Sequence, residues 1–257
     1  MSNKLKLIVI AIFFSLIFVA DLSAQQNPLS QNITIPKLSV SVDKTQNSGD
    51  LVLTLQILAV ITILTLAPSI LIMMTCFTRI IIVFHFLKQA IGTQTQPPAQ
   101  LITGLAMFLT FFVMQPVFNQ ANTQGIQPYM REEISQEQAV DNILTPFRSF
   151  MLKHTREEDL ALFVKLSGAE KPKDIKDISI WSIIPAYSIS ELRIAFQIGF
   201  LLFIPFLVLD MIIASTLMSL GMFLLPPQLI SLPIKVLLFI LVDGWNLIVS
   251  SLMKSLV

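Results

Sequence analysis

Long apolar runs alternate with one polar segment along this chain. Residues 51–78 carry no charged side chain, and a second uncharged run covers residues 101–118. Polar residues are frequent over positions 119–193, after which apolar residues dominate again to position 257. Uncharged runs of this length predict helices that can cross a hydrocarbon core of about 30 Å. The pattern therefore predicts an all-α, membrane-associated fold.

Glycine and proline residues interrupt the apolar runs. The stretch GTQTQPP at residues 92–98 ends the first helical region, and a Pro-Pro step at residues 226–227 interrupts the last. A Pro-Pro step cannot continue a helix, so it predicts a reversal between two helices. The sequence thus predicts two hairpins of apolar helices, at residues 51–118 and 194–257, with a polar, mostly helical segment at residues 119–193 between them.

The N-terminal region has the layout of an export signal. Two lysines precede a 14-residue apolar run at residues 7–20, and small residues follow up to Ala24. The run is too short for a comfortable span and polar residues follow it directly, which favours a cleaved signal peptide over an anchor helix. We predict a signal peptide at residues 1–24 and a polar, flexible leader at residues 25–50.

Composition and charge argue against a soluble or nucleic-acid-binding protein. Charged residues make up only 13% of the chain, about half of what soluble domains carry, and 20 of the 33 fall in residues 131–193. Without residues 1–24 the chain loses Lys4, Lys6 and Asp21 and keeps 15 basic and 15 acidic side chains. A neutral chain offers no basic surface for nucleic acid, so no such partner is expected.

One stretch of the polar segment carries the signals of helix ends. Thr155 and Glu158 have the spacing of a capping box, and Gly168 offers a C-terminal stop. The sequence predicts a small amphipathic helix here rather than a catalytic acidic cluster.

Enzyme chemistry has little support in the sequence. The two histidines, His85 and His154, stand far apart, and neither belongs to a zinc, serine-hydrolase or nucleotide-binding motif. Cys76 is the single cysteine and fits a small buried side chain. We predict no catalytic residue, no metal site and no cofactor.

Three charged side chains interrupt the C-terminal apolar region: Asp210, Lys235 and Asp243. Charges at membrane depth are costly and are rarely found without partners. Lys235 and Asp243 are separated by about 12 Å along a helix, so they cannot pair within one straight helix. Asp210 is the internal candidate to pair with Lys235 across the Pro-Pro reversal. The alternative is a solute or ion transporter that uses all three residues at mid-membrane.

Small and charged residues are combined just before Asp210. Ala195 and Gly199 have the small-xxx-small spacing that lets helix backbones approach closely. Glu191 and Arg193 precede them and would ordinarily mark the solvated start of a helix. Both are also candidates for buried polar contacts in an assembly.

Met222, Phe223 and Leu224 lie at the predicted reversal, just before the Pro-Pro step. Such residues either fill a hydrophobic loop inside their own subunit or form a flexible apolar ring when several copies meet. A ring of this kind can close a pore by excluding water. The residues alone are compatible with both interpretations.

Four stretches together resemble one known family. They are TRIIIVFHFLKQAIGTQTQPPAQLITGLAMFLTFFVMQP, FMLKHTREEDLALF, PAYSISELRIAFQIGFLLFIPFLVLDMIIAS and LGMFLLPPQLISLPIKVLLFILVDGW. In order and spacing they are similar to the FliP family, whose members are core subunits of the type III export gate. The R subunit of virulence injectisomes shares this fold, but the forms TRIIIVF and TREEDLALF are similar to the flagellar branch.

The resemblance implies a non-enzymatic subunit that assembles in several copies with FliQ and FliR into a closed pore complex. FlhA and FlhB connect with this complex, and unfolded flagellar proteins pass through it. Its expected location is the bacterial inner membrane at the centre of the basal body, in contact with lipid and facing the periplasm after signal-peptide cleavage. The charged residues of the C-terminal region would then pack against neighbouring subunits rather than lipid.

The chain departs from the family pattern at a few positions. The family's methionine-rich gasket loop maps onto Met222, Phe223 and Leu224, where only one methionine remains. Ala99 stands where the family typically shows Asn. Lys88 replaces a usual Arg, which keeps the charge but loses the bidentate geometry. The resemblance therefore implies a pore gasket whose side chains deform less easily.

Overall fold

The computed structural model describes residues 48–93, 96–168, 174, 177–222 and 225–256, with side chains from residue 54 onward. The predicted signal peptide and most of the predicted leader lie outside the described residues. Contacts divide the chain after Val52, and of the first unit only the helical residues 48–52 are described. The account below concerns the second unit, which starts at Leu53.

Within the described ranges the chain forms nine α-helices and no β-strand. In chain order they are α1 (Ser48–Met73), α2 (Phe77–Ile91), α3 (Ala99–Ala121), α4 (Gln127–Met130), α5 (Gln136–His154), α6 (Glu157–Leu166), α7 (Ile180–Ser219), α8 (Pro227–Leu241) and α9 (Gly244–Lys254). A short π-helical segment, Asn122–Ile126, joins α3 to α4.

Three parts of the described chain are long and apolar enough to cross a membrane. They lie in α1, in α3 with its continuation through α4, and in α7. The pair α8–α9 passes the same test together but bends by 64° at its break, so the count is four if this pair forms one span. These helices confirm the prediction of an all-α membrane fold.

Helix α7 starts earlier than the sequence pattern predicted. It begins at Ile180, whereas the second apolar hairpin was expected from residue 194. Pro185 and Pro205 lie inside the helix without ending it. Each proline removes one backbone hydrogen bond, and helices packed in an apolar setting tolerate this loss. The last part of the predicted polar segment therefore belongs to an apolar helix.

The core lies where α2 packs against α7. Along α2, apolar side chains recur at helical spacing, and Ile80, Val83, Phe84 and Leu87 are at most 1% exposed. This spacing turns one stripe of α2 inward. The contact between α2 and α7 is the most extensive between two helices of the described chain, and α5, α6 and α8 also pack against α7.

Helix α6 is not capped as predicted. The hydroxyl of Thr155 donates to a carbonyl oxygen of α5 at 2.7 Å, and Arg156 occupies the N-cap position of α6. The predicted capping box with Glu158 is therefore wrong, because Thr155 lies one residue before the N-cap and α6 has no side-chain cap. A capping box forms instead at the start of α5, between Ser135 and Gln138.

Candidate functional site: two charged pairs and a helix reversal

The first charged pair, Arg79 with Glu191, joins α2 to α7 inside the core. Arg79 lies in the first turn of α2, and Glu191 lies within α7, 112 residues later. Nε of Arg79 donates to Oε2 of Glu191 at 2.7 Å, and Nη2 donates to Oε1. The side chains are 3% and 0% exposed. Two parallel bonds are the strong form of such a pair, so they fix α2 against α7.

The chain after α9 supplies a second partner to Arg79. Nη1 donates to the carbonyl oxygen of Ser255 at 3.0 Å and to its hydroxyl at 3.3 Å. Leu252 and Leu256 flank this contact, and both are buried. Arg79 therefore ties together three parts of the chain, namely α2, α7 and the turn that follows α9.

Cys76 lies one residue before α2, close to the first charged pair. Its side chain is fully buried. This burial, together with the nearby negative charge of Glu191, raises the pKa of the thiol to about 12. A thiol with such a pKa stays protonated at neutral pH and reacts slowly, since the thiolate is the nucleophile.

The second charged pair, Lys235 with Asp210, joins α8 to α7. Nζ of Lys235 donates to Oδ2 of Asp210, and also to the carbonyl oxygen of Ala90 in α2 at 3.2 Å. The side chain of Lys235 is 7% exposed, and that of Asp210 is 38% exposed. Lys235 thus meets the internal partner that the sequence suggested, across the reversal between α7 and α8.

Two of the predicted buried charges are exposed in this chain. Asp243 lies between α8 and α9, where its backbone has a left-handed conformation with a φ of 50°. Arg193 projects from α7 with a side chain that is 52% exposed, and it approaches Glu158 at 3.8 Å. The burial predicted for both residues was against neighbouring subunits, so it stays a prediction.

Glu191 lies inside α7 and is fully buried. This agrees with its selection as a candidate for buried polar contacts and not with the solvated helix start that was the alternative. A signal was present in the spacing, because Tyr187, Glu191, Ala195 and Gly199 recur every four residues and share one helix face. All four are buried. Arg79, its partner, was not among the predicted site residues.

Ala195 and Gly199 lie on the buried face of α7. Ala195 is fully buried. A Cβ atom at Gly199 would lie 2.4 Å from the ring of Phe86 in α2. The predicted small-xxx-small pair therefore coincides with a close helix contact that depends on the missing side chain of glycine.

The reversal between α7 and α8 begins at Gly221 and Met222. Gly221 has a φ of 75°, the left-handed conformation in which glycine commonly ends a helix. The N–H of Met222 donates to the carbonyl oxygen of Leu217 at 3.0 Å. Met222 is 41% exposed. Phe223 and Leu224, the other predicted gasket residues, lie outside the described residues.

Over the described ranges, no group of three or more His, Cys, Asp or Glu residues is arranged to hold a metal ion. His154 contacts the carbonyl oxygen of Phe150 in the same helix at 2.9 Å, and His85 is exposed on α2.

Several known proteins that are similar to this chain are flagellar biosynthetic proteins called FliP. The model of the FliP family matches residues 60–252, a range that contains both charged pairs and the reversal. The flagellar biosynthetic protein FliP of Bacillus subtilis (strain 168) is 52% identical over 202 residues, which are 79% of this chain and 91% of the relative. FliP of Aquifex aeolicus (strain VF5) is 47% identical over 223 residues, 86% of this chain and 92% of the relative. FliP of Pectobacterium carotovorum subsp. carotovorum is 49% identical over 203 residues, 79% of each chain.

Proposed function

The chain belongs to the FliP family of flagellar biosynthetic proteins, and on this basis we propose that it is a core subunit of the flagellar type III export gate. In this role several copies assemble with FliQ and FliR into a gated pore. Unfolded flagellar proteins pass through the pore while the flagellum is built, and FlhA and FlhB adjoin it. The subunit acts without a catalytic step and without a cofactor.

The exposed apolar surface of α7 is the observation that supports assembly into a complex of several subunits. The helix has 40 residues, a length of about 60 Å at 1.5 Å per residue. This is twice the thickness of a hydrocarbon core, which is about 30 Å. Large apolar side chains are exposed along its whole length, among them Trp181, Phe196, Phe200, Met211 and Met218. One bilayer cannot cover this surface, so further copies and partner subunits are needed to cover the rest.

Helix α1 supports the same conclusion. The most apolar part of this helix, within Thr54–Met73, is not buried by the rest of the described chain. A helix that is hydrophobic on all sides belongs either in a membrane or inside a larger protein core. Lipid and neighbouring subunits together are the environment that suits both α1 and α7.

In the proposed pore, the tips of the α7–α8 hairpins form the constriction. Met222 is partly exposed at this tip, next to Phe223 and Leu224. Copies arranged around an axis bring equivalent tips together, and an apolar constriction excludes water and ions. Replacing residues 222–224 by glycine is expected to cause ion leakage through the assembled complex in liposomes. A tight complex after this change would contradict the gasket role.

The proposed location is the bacterial inner membrane at the centre of the basal body, with the assembly facing the periplasm. Helices able to span a membrane agree with a membrane location. Signal-peptide cleavage after Ala24 is part of the proposal, and N-terminal sequencing of the purified protein tests it. The mature protein should begin at Gln25, and a chain that keeps Met1 would contradict cleavage.

The native mass of the detergent-purified particle tests the assembly, with and without co-expressed FliQ and FliR. A discrete multi-copy complex that recruits both subunits is expected. A stable monomer or simple dimer that binds neither would overturn the export-gate role and favour the solute or ion transporter. Proton-coupled uptake that depends on Asp210 would then be the next measurement.

A further inference from the structure

The π-helical segment Asn122–Ile126, called the π segment below, interrupts the helix that runs from α3 into α4. The N–H of Gln127 donates to the carbonyl oxygen of Asn122, five residues earlier, whereas an α-helix bonds residues four apart. Such segments are rare, and they occur frequently at functional sites. The departure from α-helical bonding therefore has to be stabilised by nearby residues.

Pro128 supplies one cause within the sequence. In an α-helix the N–H of residue 128 would donate to the carbonyl oxygen of Gln124, but proline has no N–H. The ring of a proline also clashes with the carbonyl group four residues before it. A wider turn ahead of Pro128 relieves this clash, and the π segment lies at that position. Continuous α-helical bonding up to residue 128 is thereby disfavoured.

The partner helix α5 supplies the missing donor. Nδ2 of Asn142 donates to the carbonyl oxygen of Gln124 at 3.0 Å. An amide side chain of α5 thus replaces the N–H that Pro128 lacks. Pro116 lies inside α3, which stays α-helical around it, so a proline alone does not produce a π segment. The contact with α5 is therefore the second cause.

Gly125 lets α5 come close enough for this bond. Gly125 is buried. A Cβ atom there would lie 2.5 Å from Cγ1 of Ile143 and 3.1 Å from the carbonyl oxygen of Ala139, both in α5. These distances are shorter than an ordinary contact between carbon atoms, which is about 3.5–4.0 Å. The π segment and α5 thus approach each other at a position where only glycine fits.

The N-terminal half of α5 has few other anchors in the described chain. Between residues 136 and 145 only Ala139 is buried, and it is the residue that faces Gly125. Pro146, Phe147 and Met151 hold the second half of α5 in place. A segment with few buried apolar contacts opens locally at a lower cost than the rest of a fold. The N-terminal half of α5 can therefore separate from the π segment while the second half stays packed.

From the missing N–H, the side-chain bond and the close contact, we propose that the π segment and the N-terminal half of α5 form one two-state element. When this half of α5 is docked, Asn142 pairs with Gln124 and residues 122–126 take the π form. When it separates, the carbonyl oxygen loses its donor, and the five-residue bonding is released as well.

The element links the polar part of the chain to α3, which with its continuation through α4 is long and apolar enough to cross a membrane. Coupling between two sites is reciprocal. A partner that binds the N-terminal half of α5 therefore changes the end of α3, and a change at the end of α3 alters the docking of α5. This coupling does not depend on the proposed pore.

Hydrogen exchange with mass spectrometry on the detergent-purified full chain tests the coupling. Asn142→Leu should accelerate exchange about fivefold in residues 122–130 and in residues 136–145 together, the usual effect of one hydrogen bond. Gly125→Ala should accelerate both regions about tenfold or more, because it overpacks the contact. Faster exchange in only one of the two regions would overturn the proposal.

A double variant tests the role of Pro128. Pro128→Ala restores an N–H at this position, so Gln124 no longer depends on Asn142. Asn142→Leu should then have no further effect on exchange in the Pro128→Ala background. An undiminished effect of Asn142→Leu in that background would contradict the proposed replacement of the missing donor.

Asn246→Leu is the matched control, because it makes the same chemical change at an exposed position of α9. It should leave exchange in both regions unchanged, and an increase equal to that of Asn142→Leu would overturn the proposal. Far-UV circular dichroism of each variant verifies that the helices are formed.

Discussion

The two charged pairs use the same chemistry in different surroundings. The side chains of Arg79 and Glu191 are 3% and 0% exposed and meet through two bonds. Those of Lys235 and Asp210 are 7% and 38% exposed and meet through one. A guanidinium is a planar fork and an ammonium is a point charge. The first pair therefore fixes an orientation inside the fold, whereas the second holds the α7–α8 hairpin together where Asp210 still meets solvent.

Removal of Arg79 is expected to have the largest effect on stability. Arg79→Met leaves the carboxylate of Glu191 buried without a partner, which costs about 3–5 kcal/mol in comparable buried pairs. Unfolding of the detergent-purified protein by heat or denaturant measures the loss.

The double variant Arg79→Met with Glu191→Leu is the control for this prediction. Replacing both partners of a buried pair by apolar residues is often close to neutral, so the double variant should recover most of the stability. A double variant that is as unstable as the single one would show that an unpaired charge is not the cause.

A substitution at Gly199 tests the contact between α2 and α7, at a position between the two charged pairs. It stands on α7 between Glu191 and Asp210, and Gly199→Ala would push a Cβ atom to 2.4 Å from the ring of Phe86. Overpacking of this kind costs about 1–3 kcal/mol. Gly104→Ala in α3 is the matched control, because a Cβ atom there meets nothing within 4 Å. The same unfolding assay should show a neutral or slightly stabilising change at Gly104, and equal losses at both positions would contradict the prediction.

Lys235→Met should cost less than Arg79→Met. The carboxylate of Asp210 is 38% exposed and stays partly hydrated after its partner is removed. A loss of roughly 1–2 kcal/mol is expected, between the values for exposed and buried pairs. Co-purification with FliQ should also decrease if this pair sets the register of the hairpin in the assembly. A stability loss as large as that of Arg79→Met would remove the distinction between the two pairs.

Alkylation of Cys76 has the smallest expected effect on the protein and reports on the first pair. Burial raises the pKa of the thiol from 9.0 to about 12. Because the folded pKa is the higher one, ionisation of Cys76 does not oppose folding below pH 9 and weakens it as the pH rises toward 12. Maleimide labelling, followed by mass spectrometry, should therefore be slow at neutral pH. Arg79→Met should accelerate the labelling of Cys76, whereas Lys235→Met should leave its rate unchanged. Rapid labelling of the unaltered protein would contradict the described burial.

The apolar helices and the reversal could be predicted from the sequence because each depends on a local property. The hydropathy of a run depends only on its own residues, so the pattern predicted α1, α3 and the apolar part of α7. The Pro-Pro step stops a helix by its own geometry and predicted the reversal before α8. Asp210 could be suggested for Lys235 because few other charges lie in that region.

The first charged pair could not be predicted in this way. Its partners lie 112 residues apart, and Glu191 next to Arg193 has the local appearance of a solvated helix start. The four-residue spacing with Ala195 marked a buried face, but only three-dimensional packing shows that Arg79 faces it. The capping box at Thr155 was wrong because α6 begins one residue later than the pattern predicted, with Arg156 at its N-cap, and helix boundaries are uncertain by one or two residues.

The position of Ser255 in the chain has a consequence for biogenesis. Arg79 is synthesised 112 residues before Glu191 and 176 residues before Ser255. At a synthesis rate of about 5–20 residues per second, Arg79 exists for roughly ten seconds or more before its last partner leaves the ribosome. Until Glu191 is made, the guanidinium of Arg79 has neither of these partners and keeps its hydration. The contact between α2, α7 and the turn after α9 can therefore form in full only after Ser255 has been synthesised.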